Sequence, residues 1–141
     1  MTGKGFAITR TEQTSSKIIK YKKLLLVLAS IALVVLLIIL SLCIINYNSA
    51  EEKAINAVAL RMANNLPNSE YFYGCNFLSF DEFYSQIEFE DFEYYVELAG
   101  TVNVTYNGSK TDSLGFSARV VVSSLTGESW CSEAVIDGRH I

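Results

Sequence analysis

The residues able to do chemistry are few and scattered. Cys43, Cys75, Cys131 and His140 are the only thiol and imidazole groups in 141 residues. A nucleophilic relay needs a base held beside its nucleophile, and the one imidazole, at position 140 of 141, is poorly placed to be that base. A zinc site would have to be assembled from Cys75, Cys131, His140 and a carboxylate, without the paired short spacings of structural zinc motifs. No acidic run has the central glycine of a calcium loop, and no glycine-rich loop could cradle a phosphate. Paired carboxylates for glycoside hydrolysis exist by composition only. The expectation is a protein that is not an enzyme, with no metal and no cofactor. Cys43 falls within an apolar run, leaving Cys75 and Cys131 as an even pair. Bridged in an oxidising compartment, they would close a loop of about 57 residues worth about 4 kcal/mol in the chain-entropy model. Two separately buried thiols are the alternative.

The strongest local signal is compositional. Residues 70–97 carry eight carboxylates and eleven aromatics without one Lys or Arg. Glu88, Glu90, Asp91, Glu93, Tyr95 and Glu97 are the densest part of it, a candidate surface for a cationic peptide or an envelope protein. Carboxylates of one sign focus a negative potential, and aromatics supply contact area. The plainer alternative is that the aromatics fill a core while the carboxylates keep the domain soluble. Asn103-Val104-Thr105 and Asn107-Gly108-Ser109 also match glycosylation sequons, which matter only in a eukaryotic secretory pathway.

The formal net charge of −4 is a cancellation. Residues 1–23 hold six basic side chains against Glu12, and residues 46–141 hold five basic against 14 acidic. Between them Leu24–Ile45 is 22 residues with no charge, Gly or Pro. As a helix it is about 33 Å long, enough to cross a hydrocarbon core. A core helix apolar on every face would need protein all round, and the remaining 96 residues are too few to surround it. The run is longer than a typical signal-peptide core, and the nearest cleavage candidate, Asn48-Ser49-Ala50, has Asn where a small residue is preferred. Leu42 before Cys43 likewise fits a lipoprotein site poorly. A retained anchor is therefore expected, in contact with the lipid bilayer. Lys17, Lys20, Lys22 and Lys23 on its N-terminal flank put residues 1–23 in the cytoplasm as a flexible basic tail and residues 46–141 outside the cell membrane. An acidic outer domain also argues against nucleic acid as a partner.

Three kinds of element must position these residues. Ser49 to Glu52 fits a capping box, followed by Ile55, Val58, Ala59, Met62 and Leu66 at helical spacing until Pro67, which predicts an amphipathic helix over about 50–66. Strands then fill about 70–136. Phe80–Phe83 reads as a short helical turn and Gln86–Glu90 as a strand. Tyr94 to Tyr106 alternates cleanly, Asn107-Gly108 supplies a tight turn, and Leu114 to Val122 and Trp130 to Ile136 follow as further strands. The isolated Gly100 marks a bulge or bend. The fold class expected is α+β: an N-terminal transmembrane helix, then an amphipathic helix packed on a curved antiparallel sheet of about three to five strands.

This order of parts resembles small single-pass membrane proteins of Gram-positive bacteria whose outer domain is cystatin-like or NTF2-like. The likeness rests on the helix Glu51–Leu66 followed by Pro67-Asn68-Ser69, on Gly100-Thr101-Val102-Asn103-Val104 leading to Asn107-Gly108, and on Phe116 to Val122 and Trp130. It implies a fold and no catalytic residues. A second resemblance is to the transfer-channel subunits of conjugation machines, which share an inward tail, one span and an NTF2-like outer domain but carry additional helices. The functional expectations are accordingly a membrane-tethered interaction domain or, alternatively, a structural subunit of a cell-envelope or conjugative assembly.

Overall fold

The computed structural model describes the backbone of residues 3–141 and the side chains from Thr11 onward. Helix α1 runs Gly3–Asn48 and helix α2 Ala50–Asn65, followed by a single 3-10 turn at Leu66–Asn68. Strands β1 (Cys75–Glu90), β2 (Glu93–Tyr106), β3 (Lys110–Ser123), β4 (Ser129–Ile136) and β5 (Arg139–His140) form one antiparallel sheet in the order β1-β2-β3-β4-β5. The sheet is open, so β1 is an edge strand with a partner on one side only. The fold is α+β, as the alternation and the helical stripe predict. By contacts the chain divides into residues Met1–Leu40 and residues Ser41–Ile141, the second holding the last two turns of α1, α2 and the whole sheet.

In the first unit, Leu24 to Leu40 expose large apolar side chains on every face. The segment Thr11–Asn48 is long and apolar enough to cross a membrane, a property that a signal sequence shares. The tail expected to be flexible is helical from Gly3 on, continuous with the apolar run. Once a long helix exists, each added residue gains a hydrogen bond without a new nucleation cost, and no proline interrupts residues 3–23.

In the second unit, α2 lies across one face of the sheet. Its buried side chains are Ala50, Ala54, Val58 and Met62, a strict four-residue repeat continued by Leu66. The sheet answers with the even-numbered residues: Tyr94, Val96, Leu98, Val102 and Val104 of β2 and Leu114, Phe116, Ala118, Val120 and Val122 of β3 are all buried. The capping box does not form. Ser49 makes no side-chain bond to an N-terminal amide; its hydroxyl donates back to the carbonyl of Ile45 at 3.2 Å. The reason is that helical bonding barely lapses there, with Ser49 N–H donating to Ile45 and Lys53 N–H to Ser49. The hydroxyl then takes the back-bonding arrangement of a helix-interior serine.

Phe80–Phe83 is also corrected: it is extended and belongs to β1. Register slips between Phe77 and Ser79 and between Phe80 and Phe83 give β1 two bulges, while β2 opposite stays regular. Gly100 sits against the second bulge, where an added Cβ would run into the Glu82 carbonyl oxygen and approach Phe83 Cα to 2.6 Å. The glycine therefore marks a bulge in the strand beside it. The β1–β2 turn, Asp91-Phe92, has both residues at positive φ, 51° and 62°. No sequence signal announced it, because this two-residue turn normally recruits Asn and Gly.

The disulfide is a further correction, since Cys75 and Cys131 are both free thiols. Cys75 begins β1 and Cys131 lies on β4, so three interstrand spacings, about 14 Å, separate the strands. They are also offset along the sheet. Cys75 is level with Tyr106 and so with Lys110, whereas Cys131 opposes Val120, about 33 Å further along β3. A bridge needs Cα atoms within about 7 Å. Alkylation in denaturant without reductant is expected to label all three cysteines, read by mass; uptake of a single label per chain would overturn this.

Candidate partner-binding surface

Within the unit Ser41–Ile141, no helix lies over the face of the sheet turned away from α2. Antiparallel register brings opposed residues onto the same face, and the odd-numbered residues of β2 point outward. Glu88 therefore stands beside Tyr95, Glu90 beside Glu93, and Gln86 beside Glu97. Five of the six expected surface residues share this face, while Asp91 occupies the turn at its end. Like charges directly opposed across strands disfavour the pair, so Glu90 and Glu93 carry a local cost that a cation would relieve.

The next two strands continue the face. Arg119 of β3 opposes Glu97, and its guanidinium donates to Glu97 Oε1 from Nε at 3.1 Å and from Nη2, forming an ion pair that raises the Arg119 pKa. Glu133 of β4 opposes Arg119 from the other side and lies 3.5 Å from His140 Nδ1. At the centre the small pair Ala99 and Ser117 leaves a depression of about 360 Å³, walled by Tyr84, Gln86, Glu97 and Arg119. Near the hairpin end, Tyr95 hydroxyl donates to Glu93 Oε2 at 3.0 Å. That bond, with the Glu90 and Asp91 charges, raises the tyrosine pKa and keeps the phenol a donor. Among the described residues the face thus gathers Glu88, Glu90, Glu93, Glu97 and Glu133 around a single arginine, Arg119.

The aromatics of residues 70–97 divide. Phe72 and Tyr94 are buried and Phe77 and Phe80 pack on the core, whereas Tyr71, Tyr73, Tyr84, Phe89 and Phe92 are exposed. Tyr71 takes the Arg139 guanidinium over its ring at 3.8 Å. The plainer alternative, aromatics filling a core, therefore describes Phe72, Tyr94, Phe77 and Phe80, while the five exposed rings lie outside that core.

Arg119 and Glu133 were missed as members of the surface. Alternation places Arg119 on the outer side of β3, but pairing it with Glu97 requires the register across the Asn107-Gly108 turn. Arg61 was missed more completely, since it lies off the apolar stripe of α2. Its guanidinium donates to the carbonyl of Cys131 at 2.8 Å and to a main-chain oxygen of Ile141 at 2.9 and 2.8 Å, lashing α2 to β4 and the end of the sheet. The thiols play no comparable part. Burial raises the pKa of both Cys75 and Cys131, which keeps them protonated and poorly nucleophilic near neutral pH. Among the described residues, no three His, Cys, Asp or Glu side chains converge as metal ligands would. Set against protein-family models, curated proteins and solved structures, the chain finds no match, so the cystatin-like or NTF2-like resemblance rests on the order of its own parts.

Proposed function

We propose that this chain is a single-pass, membrane-tethered interaction protein without catalytic activity. Leu24–Ile45 is its retained anchor, the lysines from Lys17 to Lys23 hold the N-terminal side in the cytoplasm, and the sheet unit stands outside the cell. The uncovered sheet face binds a cationic segment of an envelope protein or peptide. The observation that carries the reading is the gathering of Glu88, Glu90, Glu93, Glu97 and Glu133 on the face that α2 leaves open. Bound Lys or Arg side chains would relieve the Glu90–Glu93 opposition, and the central depression between Tyr84 and the Arg119–Glu97 pair would take an apolar side chain beside them.

A synthetic lysine-rich peptide titrated against the full chain in lipid nanodiscs tests this. Glu88→Lys, Glu90→Lys and Glu93→Lys together are expected to weaken binding by about tenfold or more, and added salt to weaken the unmodified protein. Reversing Glu51, Glu52 and Glu70 changes net charge equally but leaves this face intact. Equal loss in both triple variants would mean that the peptide senses overall charge, and the surface reading would fail.

A further inference from the structure

We infer that the tip of the β1–β2 hairpin is itself seated in the interfacial layer of the bilayer, with Phe89 and Phe92 against lipid. This rests on the proposed crossing by Leu24–Ile45 and adds a second membrane contact made by the folded unit.

The argument begins at the end of the apolar run. Tyr94 hydroxyl donates to the carbonyl of Cys43 at 2.7 Å, a residue two positions inside that run. From there the rings form a chain. Tyr94 meets Tyr47 edge-on at 5.6 Å, Phe89 lies 5.2 Å from Tyr94, and Phe92 lies 6.3 Å from Phe89. A second tie is polar. Asn46, buried and one residue beyond the run, donates from Nδ2 to the Ser124 carbonyl at 2.7 Å. Ser124, fully buried, donates from its amide and its hydroxyl to the carbonyl of Phe92. The turn is thereby held level with residues 43–47, where a helix crossing from Leu24 leaves the hydrocarbon.

At that level the tip presents apolar surface to its surroundings. Phe89 is 57% and Phe92 60% exposed, with Tyr47 and Leu125 exposed beside them. Phe92 also holds φ at 62°, a conformation unfavourable for a bulky residue and normally given to Gly or Asn. An exposed aromatic kept at a strained turn position is accounted for when its ring has somewhere apolar to go. Aromatic rings at headgroup depth are a recurrent way of fixing a protein at a membrane interface. Glu90, Asp91 and Glu93 flank the tip, residues 70–97 hold no Lys or Arg, and Lys53, which reaches the same tie, is engaged by Asn46 Oδ1 at 3.1 Å, so the occupant is a zwitterionic lipid surface engaged through its apolar layer.

Single-tryptophan variants of the full chain, built on Trp130→Phe and reconstituted in phosphatidylcholine vesicles, test the seating. Bromine is placed on the acyl chains either just below the headgroups or deep in the core. Phe92→Trp is expected to emit at short wavelength and to lose about half its fluorescence to the shallow bromine. Leu36→Trp should be quenched by the deep bromine, and Tyr73→Trp, before the far end of β1, by neither. If Leu36→Trp is quenched while Phe92→Trp behaves like Tyr73→Trp, the seating is overturned and the anchor stands. If Leu36→Trp is not quenched, the anchor reading fails and the seating falls with it.

Discussion

Gly100→Ala is expected to cost about 3 kcal/mol, and Gly100→Val little more. The near-equality is the informative part. At most sites a valine costs more than an alanine because it is larger, but here the first carbon is already impossible. It would run into the Glu82 carbonyl oxygen and crowd Phe83 Cα, both backbone atoms of the β1 bulge. Side chains yield to crowding by changing rotamer, whereas a bulge held in register on both sides does not. Relief requires removing the bulge, which would shift every residue from Phe83 to Glu90 by one place and turn Ile87 out and Glu88 in. Gly115→Ala is the control, because its Cβ would make an ordinary contact with Asp137 Oδ1 at 3.6 Å. That substitution is expected to be neutral. Urea midpoints of the three variants, at unchanged slope, decide it.

The second large effect belongs to Arg61. Arg61→Met preserves the aliphatic stem against Trp130 and Cys131 but removes every donor, and a loss of about 2 kcal/mol is expected. Two main-chain oxygens, of Cys131 and Ile141, then lose their partner where water reaches them only partly. Arg61→Lys keeps a charge but offers a point donor where a planar fork reaches two separated oxygens, so it should recover less than half. Hydrogen exchange separates this local effect from general weakening. The Ile141 amide, bonded to Ala134 at 3.0 Å, should lose protection in Arg61→Met while the β2 and β3 amides keep theirs. Uniform loss across the sheet would mean that Arg61 contributes to the core as a whole.

What could be read from the order of residues, and what could not, divides along one physical line. Period-two alternation placed the buried residues of β2 and β3 on one face, because a side chain's direction along a strand depends on parity alone. The α2 stripe was legible for the same reason at period 3.6, although Ala54 was overlooked because alanine signals burial weakly. The first strand was harder. Its two bulges break parity, so Phe77, Phe80 and Ile87 do not sit on one alternation, and Asp81-Glu82 imitated a helical turn. Asp91-Phe92 was invisible because its residues are not those the turn prefers. Five of the six residues singled out by composition share one face of the sheet, yet that Arg119 pairs with Glu97 depended on register. The Cys75–Cys131 pairing failed on distance, which counting cysteines does not address.

The open edge of β1 carries a consequence for neighbours of the same kind. A strand of sixteen residues with one bonded side is a template that another such strand can zip onto. Chains confined to a bilayer, as proposed here, meet in two dimensions, where crowding raises encounter rates without any added affinity. The bulges after Phe77 and Phe80 interrupt the ladder such a neighbour would need, and Glu82, Glu88 and Glu90 place like charge along the rest. Irregularity and like charge in β1 would therefore act as social distance, keeping tethered copies separate.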